Sequence, residues 1–270
     1  MRYWFDGQWF DQDFIQLPLT EPGLLYGATI FTTLRVYDCN LFHPLTHWSS
    51  HGDRLRQHLA DLAWPSPHWP SLTEAAIDLA QHFPVLRITL FPTGQAWLMG
   101  RSLPADLAQR QRQGITAWLT PPGQFQRSLA TWKTGNYFAP WLAQKAAECQ
   151  QSQEAILTNA KGHWLETSTG NLWGWRENIF FTPALTGEQL GGIAHQHLSQ
   201  WIEDQGGTIC RQAWTPSVIK DLQGLAYSNS VAEIIAINSV HADSQEPLCF
   251  SSAYAHQYEY LTSYFRILQS

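Results

Sequence analysis

Lysine is scarce in this chain. Only Lys133, Lys145, Lys161 and Lys220 occur among 270 residues, and charged side chains together make up 14 %. With a formal net charge of -6 and only a short basic spot at Arg110 and Arg112, an extended nucleic-acid surface is excluded. Cysteine is sparse too: Cys39, Cys149, Cys210 and Cys249 show no paired spacing, so a disulfide framework is not expected and reduced thiols of a cytoplasmic protein are. No apolar run approaches the ~18 residues of a membrane span, and residues 1 to 7 lack the apolar segment of a signal peptide. No membrane partner is therefore expected. Gly-x-Ser-x-Gly, Walker and Gly-x-Gly-x-x-Gly motifs are all missing. A metal centre is not expected either. His43, His47 and His51 have helical spacing, but Pro44 interrupts them and no cysteine or carboxylate completes a shell, while His195 and His197 fall on different faces of a helix.

What is present is a mixed pattern of strands and helices. Asp6-Gly7 suits a tight turn between two short aromatic strands in residues 1 to 10. Residues 29 to 37 are rich in β-branched and aromatic side chains and predict a strand. Leu55, Leu59 and Leu62 recur at helical spacing within residues 45 to 62, and a second helix is expected over 72 to 82. Residues 85 to 91 and 96 to 99 predict a strand and its hairpin partner. The polar stretch Pro104 to Gly114 marks a domain boundary, giving a smaller domain at 1–108 and a larger one at 109–270. In the second, strands are expected at 115–119, 155–158, 164–167, 171–175, 179–182, 226–230 and 234–237, with helices at 137–150, after Gly191-Gly192, and at 253–268. Strands outnumber a simple alternation with helices, so the fold class is α/β in the broad sense: α+β with mixed sheets.

Of the four lysines, Lys145, Lys161 and Lys220 stand in polar surroundings, whereas Lys133 lies in Trp132-Lys133-Thr134-Gly135-Asn136-Tyr137-Phe138. An ammonium walled by Trp132, Tyr137 and Phe138 loses hydration, which lowers its pKa and favours the free amine that attacks a carbonyl. A snorkelling lysine explains the same residues. Gly191-Gly192 opens a helix at Ile193 and suits a phosphate, or is an ordinary turn. Ser228-Asn229-Ser230 offers further donors after a strand. Arg54 could clamp a dianion or be a plain helix-surface arginine. Glu166, among small hydroxyl residues, either caps a turn or faces a cationic ring nitrogen.

Taken in order, Arg54, Lys133-Thr134-Gly135-Asn136-Tyr137, Glu166-Thr167-Ser168-Thr169-Gly170-Asn171-Leu172, Gly191-Gly192-Ile193 and Ser228-Asn229-Ser230 resemble the fold-type IV pyridoxal-phosphate enzymes. These include branched-chain aminotransferases, D-amino-acid aminotransferases and 4-amino-4-deoxychorismate lyases. The resemblance implies a two-domain fold like that of D-amino-acid aminotransferase, a homodimer, and pyridoxal 5'-phosphate as cofactor. It implies that Lys133 bonds the cofactor aldehyde, Tyr137 hydrogen-bonds its phenolic oxygen and Glu166 pairs with the pyridine nitrogen, making the ring a better electron sink. Arg54, Gly192, Ile193, Asn229 and Ser230 then hold the phosphate, while Tyr26, Phe31, Thr33 and Arg87 meet the substrate. Phe31-Thr32-Thr33-Leu34-Arg35-Val36 is most similar to the aminodeoxychorismate lyases, with Thr33 assisting a departing pyruvyl group and Lys133 as general acid-base; branched-chain aminotransferases tend to have Phe-Glu-Gly there. Residues 92 to 95 read Pro-Thr-Gly-Gln, without the arginine-and-histidine pattern of D-amino-acid enzymes and without the glycine- and arginine-rich loop of many lyases; Arg87 or Arg101 then has to supply that charge. His195 stands where relatives frequently have arginine. The expected activity is a lyase forming 4-aminobenzoate and pyruvate for folate biosynthesis. The alternatives are a class IV aminotransferase of branched-chain or broader specificity, and a non-catalytic binding protein on the same fold.

Overall fold

The computed structural model describes residues 2–243, 246–250 and 255–268. Asp6 and Gly7, both at positive φ (45° and 93°), close the turn between strands β1 (Arg2–Phe5) and β2 (Gln8–Asp11). This is the two-residue hairpin geometry that Asp-Gly favours. Strands β3 (Ile30–Arg35), β4 (Val85–Leu90) and β5 (Ala96–Arg101) complete a five-stranded antiparallel sheet in the order β2-β1-β5-β4-β3. Alternation along the strands sends Ile30 and Leu34, Leu86 and Ile88, and Leu98 to one face, where they form a core with Leu55 and Leu59 of helix α2 (Trp48–Asp61) and Leu72 and Leu79 of helix α3 (Trp69–Ala80). Truncating a side chain as buried as Leu55, which has no exposed surface, costs about 2–5 kcal/mol. The other face of the sheet carries Phe31, Thr33 and Arg35. A short helix, α1 (Pro22–Tyr26), precedes β3.

The remaining strands are β6 (Ile115–Leu119), β7 (Glu154–Thr158), β8 (Trp164–Thr167), β9 (Asn171–Arg176), β10 (Ile179–Pro183), β11 (Thr208–Gln212), β12 (Gly224–Asn229), β13 (Glu233–His241) and β14 (Leu248–Cys249). They form a mixed sheet in the order β11-β10-β9-β12-β13-β6-β7-β8, with β14 on β13. Pairings of β6 with β7 and β13, and of β10 with β11, are parallel; the others are antiparallel. Helices α5 (Phe138–Cys149) and α6 (Ile193–Asp204) fall where their glycine and apolar patterns predict them. Helix α8 runs Ala255–Ile267; residues 253 and 254 of the helix expected there lie outside the described residues. Helix α4 (Leu107–Gln113) occupies the polar stretch read as a boundary, and helix α7 (Pro216–Lys220) was not anticipated.

The chain divides into two compact units, Met1–Ala105 with Trp132–Asn136, and Asp106–Thr131 with Tyr137–Ser270. The 132–136 segment, and Lys133 with it, groups with the first unit because it adds to the edge strand β3. Phe31 N donates to Lys133 O at 2.9 Å and Gly135 N to Thr29 O at 2.7 Å. Among the described residues no helix is long and apolar enough to cross a membrane.

Candidate active site

In the first unit those backbone bonds fix the lysine. Its Nζ lies 4.7 Å from the centroid of the Phe31 ring, and the Arg87 guanidinium lies over the same ring at 3.8 Å. Phe31 is therefore the aromatic surface under the amine. In the second unit Phe138, the first residue of α5, is 65 % exposed and stacks on Trp141. The indole of Trp132 donates to Asp61 at 3.2 Å.

Register places Thr33 opposite Arg87 and Phe31 opposite Thr89, while Val85 is flanked by Arg35 and Arg101. Because directly opposed residues share a face, Thr33 and Arg87 lie on the side of the sheet that carries Phe31, and Arg35 and Arg101 stand on the same side in the next row, with the Arg35 guanidinium over Tyr37 at 4.8 Å. Thr32 turns the other way. Its hydroxyl accepts from Arg54 Nη2 at 2.6 Å and meets His51 Nδ1 at 2.5 Å. His51 and Arg54 are three apart on α2 and share a face, so a fully buried imidazole and a strand hydroxyl orient the arginine. His58, one turn on from Arg54, has its pKa pushed down to about 4 by burial and by the charges of Arg54 and Lys133, opposed by Asp61. It is neutral at pH 7. Neither histidine was singled out from sequence as a partner of Arg54; their spacing on the helix was the available signal. Tyr26 is 76 % exposed at the end of α1.

In the second unit Glu166, on β8, is 6 % exposed. Arg127 Nε donates to its Oε1 at 2.8 Å and the Leu190 amide to its Oε2 at 3.3 Å. Arg127 also donates to Ala130 O at 2.5 Å. Arg127 is not among the residues expected from sequence, since it stands in Gln-Phe-Gln-Arg-Ser-Leu-Ala with no local signal to mark it. The Leu190 carbonyl is held by Asn171 Nδ2 at 2.7 Å, which fixes the approach to Gly192. No side chain caps α6 at Gly192, so its first-turn amides, that of Ile193 included, have no acceptor within the helix. A β-carbon at Gly192 would collide with Asn171 Oδ1, which explains glycine there. His195 is a core residue: Thr182 meets its Nε2 at 2.8 Å, Trp173 packs on its ring at 4.7 Å, and burial pushes its pKa down to about 4. Tyr137 Oη donates to Ser168 O at 2.7 Å. Asn229 Oδ1 accepts from Val231 N and Ala232 N at 2.9 and 2.7 Å, tying the turn that contains Ser230.

The family model described as amino-transferase class IV matches residues 29–240. The chain belongs to the class IV aminotransferases. It is 22 % identical over 243 residues to the aminodeoxychorismate lyase of Vibrio harveyi, covering 84 % of this chain and 88 % of the relative. It is equally 22 % identical over 260 residues to the branched-chain-amino-acid aminotransferase of Escherichia coli K12, covering 88 % and 84 %. Among solved structures, the branched-chain aminotransferase of Thermoproteus uzoniensis with norvaline matches at a TM-score of 0.81 and 20 % identity, over 100 % of this chain and 95 % of that one. A hypothetical aminotransferase from Mycobacterium tuberculosis in its PLP-bound form matches at 0.81 and 20 %, over 97 % and 98 %. The fold is that of the fold-type IV enzymes, and the class IV chain is a pyridoxal-phosphate enzyme. Its residues fit that cofactor. Within the first unit, an amine over an aromatic ring suits an aldehyde and the Arg54 guanidinium suits a phosphate; within the second, a buried carboxylate suits a basic ring nitrogen and an uncapped helix start offers amides to an anion.

Proposed function

We propose that this class IV enzyme is a 4-amino-4-deoxychorismate lyase, releasing 4-aminobenzoate and pyruvate for folate biosynthesis. The observation that supports this most is the row Thr33–Arg87 on the sheet face that carries Phe31, with Lys133 Nζ over that ring. A hydroxyl and a guanidinium in one row suit a substrate whose departing group carries a carboxylate. Arg35 and Arg101, either side of Val85, offer charge for a second carboxylate. Leucine, with a single carboxylate, has no use for the second.

In this reading Lys133 would hold the cofactor through its aldehyde, and its amine would be free to act once substrate is bound. The freed Lys133 amine takes the proton from the amine-bearing carbon. Bound pyridoxal phosphate supplies the electron sink that makes this proton removable. Thr33 hydrogen-bonds the pyruvyl oxygen as its bond to the ring breaks; the ring becomes aromatic, and the departing enol takes up a proton at carbon to give pyruvate. Glu166 would pair with the pyridine nitrogen and Tyr137 with the phenolic oxygen, and Arg54, Gly192, Ile193, Asn229 and Ser230 would hold the phosphate. Tyr26, Phe31 and Arg87 contact substrate.

A second reading, branched-chain aminotransferase, is favoured by the equal identity to the Escherichia coli enzyme over a slightly longer match. The purified protein with pyridoxal phosphate decides between them. Given 4-amino-4-deoxychorismate it should produce 4-aminobenzoate and pyruvate in equal amounts; keto acid from leucine and 2-oxoglutarate without any 4-aminobenzoate would overturn the lyase reading. The proposal includes a cytoplasmic homodimer. Exposed Leu24, Leu25 and Tyr26 on α1 support a second copy, and four cysteines without disulfides suit a reducing compartment. Sizing chromatography at the monomer mass would remove the dimer.

A further inference from the structure

Glu154 opens β7 with 1 % of its surface exposed. Nothing in the proposed chemistry uses this acid. Its two oxygens are both engaged by the turn that follows Glu166 and Thr167: Ser168 Oγ donates to Oε1 and Thr169 Oγ1 to Oε2, the latter at 2.5 Å. Burial raises the carboxyl pKa above its usual range, against the pull of those hydroxyls and of the Ala155 and Ser168 amides. The same turn is what the neighbouring site residues lean on. Tyr137 Oη donates to the Ser168 carbonyl, and Asn229 Nδ2 approaches Thr169 Oγ1 at 3.5 Å. Glu166 precedes Ser168 by two residues on the same backbone, which Ala155 O holds through the Ser168 amide at 2.9 Å. One buried carboxyl group thus holds a turn that meets Tyr137 and Asn229 directly and is joined to Glu166 along the backbone.

We propose that Glu154 is a positioning residue for the cofactor: by holding the Ser168 and Thr169 hydroxyls it sets Tyr137, Glu166 and Asn229 in mutual register. The proposal rests on the reading that those three residues hold pyridoxal phosphate. Side chains at position 154 that cannot bond both hydroxyls leave them buried and let the turn move, which displaces all three groups together. A carboxamide can satisfy both, its oxygen accepting from one hydroxyl and its nitrogen donating to the other.

The test is titration of apo-protein with pyridoxal phosphate and, separately, with pyridoxal, followed by protein fluorescence. Glu154→Ala should weaken pyridoxal phosphate by roughly 10- to 50-fold, two buried hydroxyls having lost their partner. Glu154→Gln should stay within about 3-fold of the parent, the rescue expected when the hydrogen-bond pattern matters and the charge does not. Thr169→Val keeps the side-chain volume and removes only a hydroxyl. It should weaken pyridoxal phosphate about 3- to 10-fold while changing pyridoxal less, since its link runs to Asn229, and the apo unfolding midpoint should hold. This variant carries the test should Glu154→Ala not fold. Parent-like binding of pyridoxal phosphate by Thr169→Val or by folded Glu154→Ala, or failure of Glu154→Gln to rescue, overturns the proposal. Glu166→Gln and Tyr137→Phe serve as references. If those two also bind like the parent, the underlying cofactor reading has failed; if they bind weakly while Glu154→Ala does not, only the positioning role has.

Discussion

Replacing Arg127 by methionine removes one member of an ion pair whose side chains are 5 % and 8 % exposed and whose atoms meet at 2.8 Å. Methionine retains much of the apolar stem, so the loss is mainly electrostatic. Glu166 stays buried with the Leu190 amide still donating to it, and the Ala130 carbonyl loses its guanidinium donor. Stranding one charge of a buried pair costs about 3–5 kcal/mol, far more than an exposed pair is worth. For a chain of this size each kcal/mol lowers Tm by roughly 2–4 °C, so Arg127→Met should melt about 6–20 °C below the parent. The measurement is thermal unfolding of apo-protein by circular dichroism, which keeps cofactor binding out of the comparison. Adding Glu166→Gln removes the stranded charge, and the double variant should regain about 2 kcal/mol over Arg127→Met alone. A single variant within about 1 kcal/mol of the parent, or a double variant no more stable than the single, would refute the reasoning.

Thr33→Val should cut kcat for 4-aminobenzoate formation by roughly 10- to 100-fold with little change in KM, because the hydroxyl is needed as the leaving group departs; an unchanged kcat removes Thr33 from the chemistry. Arg87→Met should raise KM for the carboxylate substrate by about 10- to 100-fold, the loss of one charge-assisted contact, and steady-state kinetics checks it. His195 is neutral in the fold, with its pKa about 4 against the ordinary 6.5. The unfolded chain therefore binds the extra proton first, and stability is complete above pH 6.5 and declines as pH falls toward 4. The full effect is about 3 kcal/mol. Urea unfolding at pH 7 and pH 5 should show the drop, and His195→Gln should reduce it; an equal drop in both proteins would assign it elsewhere.

The elements legible in sequence are those whose signal is local. Asp6-Gly7 demands positive φ, Leu55 and Leu59 mark one face of α2, and Gly192 opens α6. Helix α4 carries a single buried residue, Leu107, among glutamines and arginines, so no periodicity betrays it. Strand β11 is an edge strand with no fully buried residue, and α7 is only 5 residues long. At the candidate site, Lys133 and Glu166 stood out because an amine among aromatics and an acid among small hydroxyl residues are locally unusual. Arg127, His51 and Glu154 did not, since each acquires meaning only from a residue 19 to 39 positions away or across a turn 14 positions on. Pairing of Arg54 with Thr32 likewise depends on which way the strand alternates: Thr32 orients the arginine, and the neighbouring Thr33 lies on the opposite face of the sheet.

Absorbance tests directly whether the amine at position 133 carries the cofactor aldehyde. Protein dialysed against pyridoxal phosphate and freed of excess should show a visible band that borohydride bleaches, leaving one reduced cofactor covalently attached to the peptide containing Lys133; Lys133→Ala should show neither. A colourless parent, or reduced label on Lys145, Lys161 or Lys220 with none on Lys133, would contradict it.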